Sequence, residues 1–390
     1  MKNKHIAIDG RYLLRQQRGM PLYVYNLCKR LPVRLSDVEF TVLINSQFEH
    51  NEEPQFYSDR LNEIRRLPNV TIVDIHSEGE IFWETIKLPL WLIKKRPDLL
   101  LMPGNRVSLL SCVKQFATFH DAMEWKYFDE LFKYNKDANF KLKLYQFRVR
   151  LYIWLTYKIG LARLSKVLTI SNFSKSSLES YFPQIKNKTC VLYHGIPDGF
   201  STTTDSVIPH SERNGVLMLG GDSYQKNPEN AIRAWHALPD DLKKNNPLTI
   251  AGTKNNVNSP IRKIITELNI QHNLVVKEWV SEAELIALFR QSKALLFVSR
   301  EEGFGFPLVQ AMACGTPTVV SKAEVLQELG GDAVCLAETE DYKNISAQLE
   351  QLLLDERIWN DKSKSSLSRA ESFSWDSMIK QLAEIIISEI

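Results

Sequence analysis

The chain lacks most of the features that announce a metal centre, a disulfide framework or a membrane span. Its 390 residues include only five cysteines, at 28, 112, 190, 314 and 335. The number is odd and no pair stands in a C-x-x-C spacing, so no zinc site or disulfide scaffold is implied, and a reducing compartment fits. No D-x-D sequence occurs, so the chain offers no such acidic pair to hold a metal against a diphosphate. No G-x-G-x-x-G follows the first strand, which removes the dinucleotide fingerprint. The longest membrane-like run, Leu151–Ala162, is too short to span a bilayer and contains Lys158. Met1 leads within a few residues into a strand at His5–Ile8, so no signal peptide is expected and the expected location is cytoplasmic. Low-complexity tracts and short-period repeats are missing too.

What is present belongs to an ordinary globular protein, with 44% hydrophobic and 24% charged residues. The length suggests two domains. A net charge of +3 conceals an asymmetry: residues 1–195 carry 30 Lys/Arg against 19 Asp/Glu, and residues 196–390 carry 19 against 27. A basic first half suits anionic lipid, phosphate or nucleic acid, or is simply a solvated surface with no partner. No nucleic-acid recognition module accompanies the charge, so nucleic acid is set aside.

Strand alternates with helix throughout, which predicts parallel sheets wrapped by helices. Seven strands are expected in the first half, from His5–Asp9 to Thr189–Tyr193. Six more run from Gly215–Leu219 to Ala333–Leu336. The segment Gly195–Asn214, rich in Ser, Thr, Asp and Pro, reads as the joint between two Rossmann-like domains. The boundaries are therefore set at 1–196 and 197–372. A last helix near Trp375–Ile387 is apolar on one side and must pack somewhere.

One stretch carries most of the chemistry. Lys293–Ser321 reads as a strand, a loop with Gly303 and Gly305, a helix opened by Pro307, and a second strand. A loop at the carboxyl end of a parallel strand, running into a helix N-terminus, is where open α/β sheets bind anionic ligands. Glu301 and Glu302 sit on that loop. A carboxylate there is better suited to sugar hydroxyls than to phosphate.

The stretch Ser299–Met312 resembles the E-G-F-G-x-P-x-x-E-A-M signature of the family-4 retaining glycosyltransferases. His5–Tyr25, Phe82–Pro103, Thr118–Asp121, Thr169–Leu178, Tyr193–Ile196, Val216–Pro228, Glu278–Val280 and Phe373–Met378 resemble other segments of that family in the same order. The resemblance covers nearly the whole chain, with bacterial mannosyltransferases of polysaccharide and O-antigen assembly as the nearest in character. It implies a GT-B fold: two Rossmann-like domains facing across a cleft, with the C-terminal helix, about 373–390, crossing back to the first domain. It also implies a metal-independent transfer from a nucleoside-diphosphate sugar.

Residue by residue, the resemblance puts Glu302 on hydroxyls of the donor sugar, where an ionised carboxylate makes charge-assisted hydrogen bonds. Glu301 is left without a role. Gly303, Phe304 and Gly305 present backbone N–H groups to the diphosphate and sugar. Gln310 stands where the family has its second glutamate, on the nucleotide ribose. Lys226 is the cation for the diphosphate, with Gln225 replacing the family's arginine and the helix start at Asn227 adding amides. Arg300 is a candidate to supply the missing charge. Val280, ending the Glu278–Val280 turn, is placed with the nucleotide. In the first half, His120 is expected to donate to a sugar hydroxyl, with Asp121 orienting it or helping the acceptor. Gly19 lets the first loop approach the donor phosphate.

The acceptor is read from charge and pattern. Lys126–Lys166 has ten Lys/Arg against three Asp/Glu, interleaved with aromatics. Within Asn139–Leu164, Phe140, Leu144, Phe147, Leu151, Trp154 and Leu155 recur at helical spacing. This is either a helix packed on its own domain or one whose basic side lies on an anionic membrane, near a lipid-linked glycan. The expected function is hexose transfer, mannose from GDP-mannose as first choice, to a glycan acceptor in cell-surface polysaccharide synthesis. A weakened nucleotide-sugar-binding protein and another GT-B enzyme, such as a sugar-nucleotide epimerase, are the alternatives.

Overall fold

Short apolar runs, most of them buried on both faces and the edge strands Val70–Asp74 and Leu274–Lys277 partly exposed, form the strands of two all-parallel sheets. A computed structural model of the chain describes residues 4–15, 19–47, 54–131, 140–253, 259–278 and 280–390. Arg18, Trp279 and part of the basic segment, 132–139, lie outside the described residues, as does the side chain of Phe140. The chain divides into two compact units, Met1–His194 with Trp375–Ile390, and Gly195–Ser374.

The first unit holds β1 (His5–Asp9), β2 (Glu39–Ile44), β3 (Val70–Asp74), β4 (Leu99–Met102), β5 (Lys114–Thr118), β6 (Lys166–Thr169) and β7 (Thr189–Val191), in the order β3-β2-β1-β4-β5-β6-β7. The second holds β8 (Val216–Leu219), β9 (Leu248–Ala251), β10 (Leu274–Lys277), β11 (Ala294–Phe297), β12 (Thr318–Ser321) and β13 (Cys335–Ala337), in the order β10-β9-β8-β11-β12-β13. Each sheet therefore reverses its strand order once, between β1 and β4 and between β8 and β11. In such sheets the carboxyl ends of the two strands at the reversal form the binding crevice.

The helix Trp375–Ile387 belongs to the first unit. Trp375, Met378, Ile379, Leu382, Ala383 and Ile386 are buried, and Arg30 of the helix Met20–Arg34 meets Asp376 at 2.9 Å. Sequence pattern misses six α-helices among the described residues, the short Met123–Lys126 and Phe128–Leu131 and the longer Pro54–Arg65, Asp240–Asn245, Glu324–Gly330 and Glu356–Ala370. Their polar faces weaken the periodic signal.

The helix Phe140–Leu155 continues through a π turn, Thr156–Gly160, to Arg163. Its inner side is Tyr152, Ile153, Thr156 and Tyr157. The stripe Leu144, Phe147, Leu151 and Trp154 is exposed, which overturns the reading in which that stripe packs on its own domain.

Candidate functional site

In the second unit the reversal between β8 and β11 brings two predicted residues into contact. The turn Tyr224–Lys226 follows β8, and the loop carrying Glu302 follows β11, paired to β8 through Ala294 and Val216. Lys226 Nζ donates to Glu302 Oε1 at 2.6 Å. The Glu302 side chain is 12% exposed and that of Lys226 33%. A side chain at Gly221 would come within 2.8 Å of Lys226 Cγ, so a residue without Cβ leaves room for the lysine stem.

The neighbours of this pair are mostly bracing. Asn227 is fully buried in the left-handed conformation, φ 54, and donates to Val298 O at 3.0 Å and Thr339 O at 2.8 Å. Its amide ties the two loops together. The backbone N–H of Asn227, expected to add to the anion site, instead donates to Tyr224 O at 3.2 Å, so with both side-chain donors also committed Asn227 braces the loops. Arg300 is corrected too. Its guanidinium makes a fork with Glu340, at 2.6 and 2.9 Å, donates to Tyr224 O, and lies 4.0 Å over the Tyr224 ring. The carboxylate already offsets its charge, so Arg300 is a poor replacement for the missing arginine.

Gly305 caps the helix Phe306–Ala313 at φ 112, a conformation that favours glycine. Gly303 lies on the loop before it, and Phe304 is buried edge-on to Phe306 and Phe373. Pro307 lies in the first turn, as its fixed φ suggests. Gln310, 9% exposed, follows in the same helix. Val280 is buried just before the helix Glu282–Gln291.

In the first unit, β5 runs into His120. Its ring is buried, and Nε2 lies 2.8 Å from the Pro103 carbonyl. A carbonyl only accepts, so Nε2 carries the proton and Nδ1 is left as an acceptor. With Nε2 committed to Pro103, the neutral ring has only an acceptor left to offer, where the sequence expectation was a donor. Burial lowers its pKa to about 4, against the Pro103 hydrogen bond, so the ring is neutral at pH 7. Pro103, not Asp121, holds the ring through a hydrogen bond; Asp121 Oδ1 accepts from Met123 N–H at 2.9 Å. Gly19, φ 53 and ψ −116, caps the helix Met20–Arg34, and a Cβ there would meet open space. Backbone conformation, not crowding, is what asks for glycine.

Sequence reading missed a buried ionic cluster at the other reversal. Asp9 ends β1, and Arg11 forks onto it at 2.9 and 2.7 Å while also reaching Glu84 at 2.5 Å. Arg11 lies 4.0 Å over Trp83. Burial opposes the Arg11 charge, but Asp9 and Glu84 outweigh it and raise its pKa. Burial likewise raises Glu84, more than Arg11 and Arg106 lower it. Arg106, after β4, forks onto Glu124 at 2.8 and 3.0 Å. The available signal was the charged pair flanking Gly10 directly after a buried strand.

Residues 18–199 match the family model described as Glycosyltransferase Family 4, and residues 202–370 match Glycosyl transferases group 1. The chain belongs to these glycosyltransferase families. This glycosyltransferase is 27% identical over 223 residues to O-antigen chain mannosyltransferase B of Escherichia coli, covering 55% of this chain and 58% of that one. It is 29% identical over 228 residues to the MMP alpha-(1->4)-mannosyltransferase of Mycolicibacterium hassiacum, covering 57% and 54%. The matched stretch thus spans little more than half of either relative. Its fold is GT-B: the structure of Anabaena HepE in complex with UDP and glucose matches with a TM-score of 0.71 at 16% identity, covering 99% of both chains.

Proposed function

We propose that this glycosyltransferase moves a hexose from a nucleoside-diphosphate sugar to a lipid-linked glycan, with retention of anomeric configuration. Mannose from GDP-mannose is the first choice, supported by the two mannosyltransferase relatives. The carrying observation is the Lys226–Glu302 pair, a cation for phosphate beside a carboxylate for sugar hydroxyls, at the strand reversal of the second sheet.

In this reading the second unit holds the donor. Lys226 and the amides of Gly303–Gly305 at the start of the helix Phe306–Ala313 stabilise the charge that develops on the departing diphosphate. Glu302 orients the sugar and Gln310 meets the ribose. The acceptor hydroxyl attacks the anomeric carbon from the face the diphosphate leaves. The carbon–oxygen bond to phosphate breaks, and the departing phosphate oxygen takes the acceptor proton. No metal is assigned, because Lys226 and the amides serve the diphosphate and the chain has no D-x-D. Transfer is expected to proceed unchanged in excess EDTA.

The test is transfer from a panel of nucleotide sugars to an extract of lipid-linked glycans. Turnover with GDP-mannose that Glu302→Ala abolishes supports the reading. Tight donor binding without turnover on any acceptor supports a second one, a nucleotide-sugar-binding protein, which Gln225 and the Arg300–Glu340 fork favour.

A further inference from the structure

Two helices of the first unit lie on the same face of its sheet. Trp83, Leu88 and Leu92 from residues 80–95, and Ile153, Tyr157 and Leu161 from residues 140–163, share one core with Leu100, Ala117 and Val167 of β4, β5 and β6. Their outer sides therefore face the same way. On the first helix, Phe82, Ile86, Leu90 and Ile93 recur at i, i+4, i+8 and i+11 and are 41–61% exposed. On the second, Leu144, Phe147, Leu151 and Trp154 recur at i, i+3, i+7 and i+10 and are 40–57% exposed. More than half of the large apolar side chains exposed among the described residues lie on these two helices. Scattered singly they would need no explanation, but aligned as two stripes on one face they mark an interaction surface.

The charge around the stripes selects the partner. Lys87, Lys94, Lys95 and Arg96 flank the first, and Lys141, Lys143, Arg148 and Arg150 flank the second. Residues 85–96 and 140–163 contain no Asp or Glu. A second copy of this chain docked through the same face would bring mostly lysine against lysine, because the nearby carboxylates are few and engaged, Asp129 with Arg150 and Glu80 with Arg15. An anionic lipid surface satisfies both features, taking the apolar side chains into the headgroup boundary and the ammonium groups against phosphate.

We propose that residues 80–95 and 140–163 form a two-helix docking plane for an anionic phospholipid bilayer. The inference rests on the reading of a lipid-linked acceptor and adds where the enzyme meets the membrane and how it lies. With both helices flat on the lipid, the sheet of the first unit lies parallel to the membrane. The carboxyl ends of β1, β4 and β5, with Asp9, Arg106 and His120 beside them, then open sideways along the lipid surface, toward an acceptor anchored in it.

The test uses the full chain and vesicles of phosphatidylcholine alone or with 30 mol% phosphatidylglycerol, at low and high salt. Co-sedimentation is expected only with the anionic vesicles, falling at least tenfold in high salt. Leu90→Glu with Ile93→Glu should weaken binding at least tenfold, and Phe147→Glu with Leu151→Glu should do the same. Transfer to a water-soluble glycan fragment should stay unchanged in both variants, which separates loss of docking from loss of fold or chemistry. Binding that resists one pair of substitutions overturns the two-helix plane. Binding indifferent to lipid charge overturns the lipid assignment, and a concentration-dependent dimer lost in the same variants makes the face a protein interface. Failure of transfer to any acceptor, with vesicle binding intact, overturns the glycosyltransfer reading and leaves the docking plane standing.

Discussion

Glu302 and Lys226 each suit a different part of a nucleotide sugar, yet they spend their charges on each other at 2.6 Å. A charge-assisted hydrogen bond contributes about 1.5–3 kcal/mol, less here because a third of the lysine side chain is exposed. Phosphate must share the Lys226 charge with Glu302. Glu302→Gln should therefore tighten free nucleoside diphosphate several-fold by calorimetry while collapsing kcat. Unchanged or weaker binding would show that the pair does not compete with phosphate. Gln310→Glu should leave the enzyme active and tighten the nucleoside diphosphate modestly. The gain is limited because the site is nearly buried and a new charge there is costly to desolvate. His120 makes a pH prediction. Its pKa is depressed from 6.5 to about 4, so its contribution to stability is present above pH 6.5 and fades as pH falls toward 4. By linkage the loss at pH 4.5 is about 2–3 kcal/mol. In denaturant titrations at pH 7 and 4.5, His120→Asn should narrow the difference by about that much. The slope from buried His194, also depressed by burial, should remain.

At the level of the element, the loops are held by residues whose roles are invisible in a motif. Asn227 belongs to a recognisable K-N pair, but its left-handed backbone and its two hydrogen bonds to Val298 and Thr339 appear only once β8 and β11 are neighbours. Asn227→Ala strains the backbone and strips donors from two carbonyls, costing about 2–4 kcal/mol in thermal unfolding of the second unit. A cost below about 1 kcal/mol would refute the bracing role. The π turn Trp83–Lys87 is a second case. It ends two residues before Pro89, which has no N–H to give the helix, and it carries Glu84 to Arg11. The sequence shows a helix there; the extra residue in the turn decides which side chain enters the core.

Across the molecule, the last helix is covalently remote from the unit it completes. Its five large buried side chains, at about 1.5–3 kcal/mol each, together rival the net stability of a typical domain. A chain ending at Ser374 should lose the cooperative unfolding transition of the first unit and keep that of the second, in calorimetry or limited proteolysis. Retention of both transitions would contradict this. All thirteen strands were legible in sequence, because a short run rich in β-branched and apolar residues marks a strand without reference to its partner. So were the glycine loop at Gly303–Gly305, the Lys226 element and the His120 position, since local backbone chemistry and short-range spacing mark them. Local pattern was therefore enough for the alternation, the two-sheet class and the residue types at the strand ends. Tertiary structure alone decided the pairings. Strand order brought Lys226 to Glu302, Arg300 to Glu340, and Asp9 and Glu84 to one arginine. It also turned the stripe of the long helix outward. Each depends on residues far apart in the chain becoming neighbours, which periodicity along one segment does not encode.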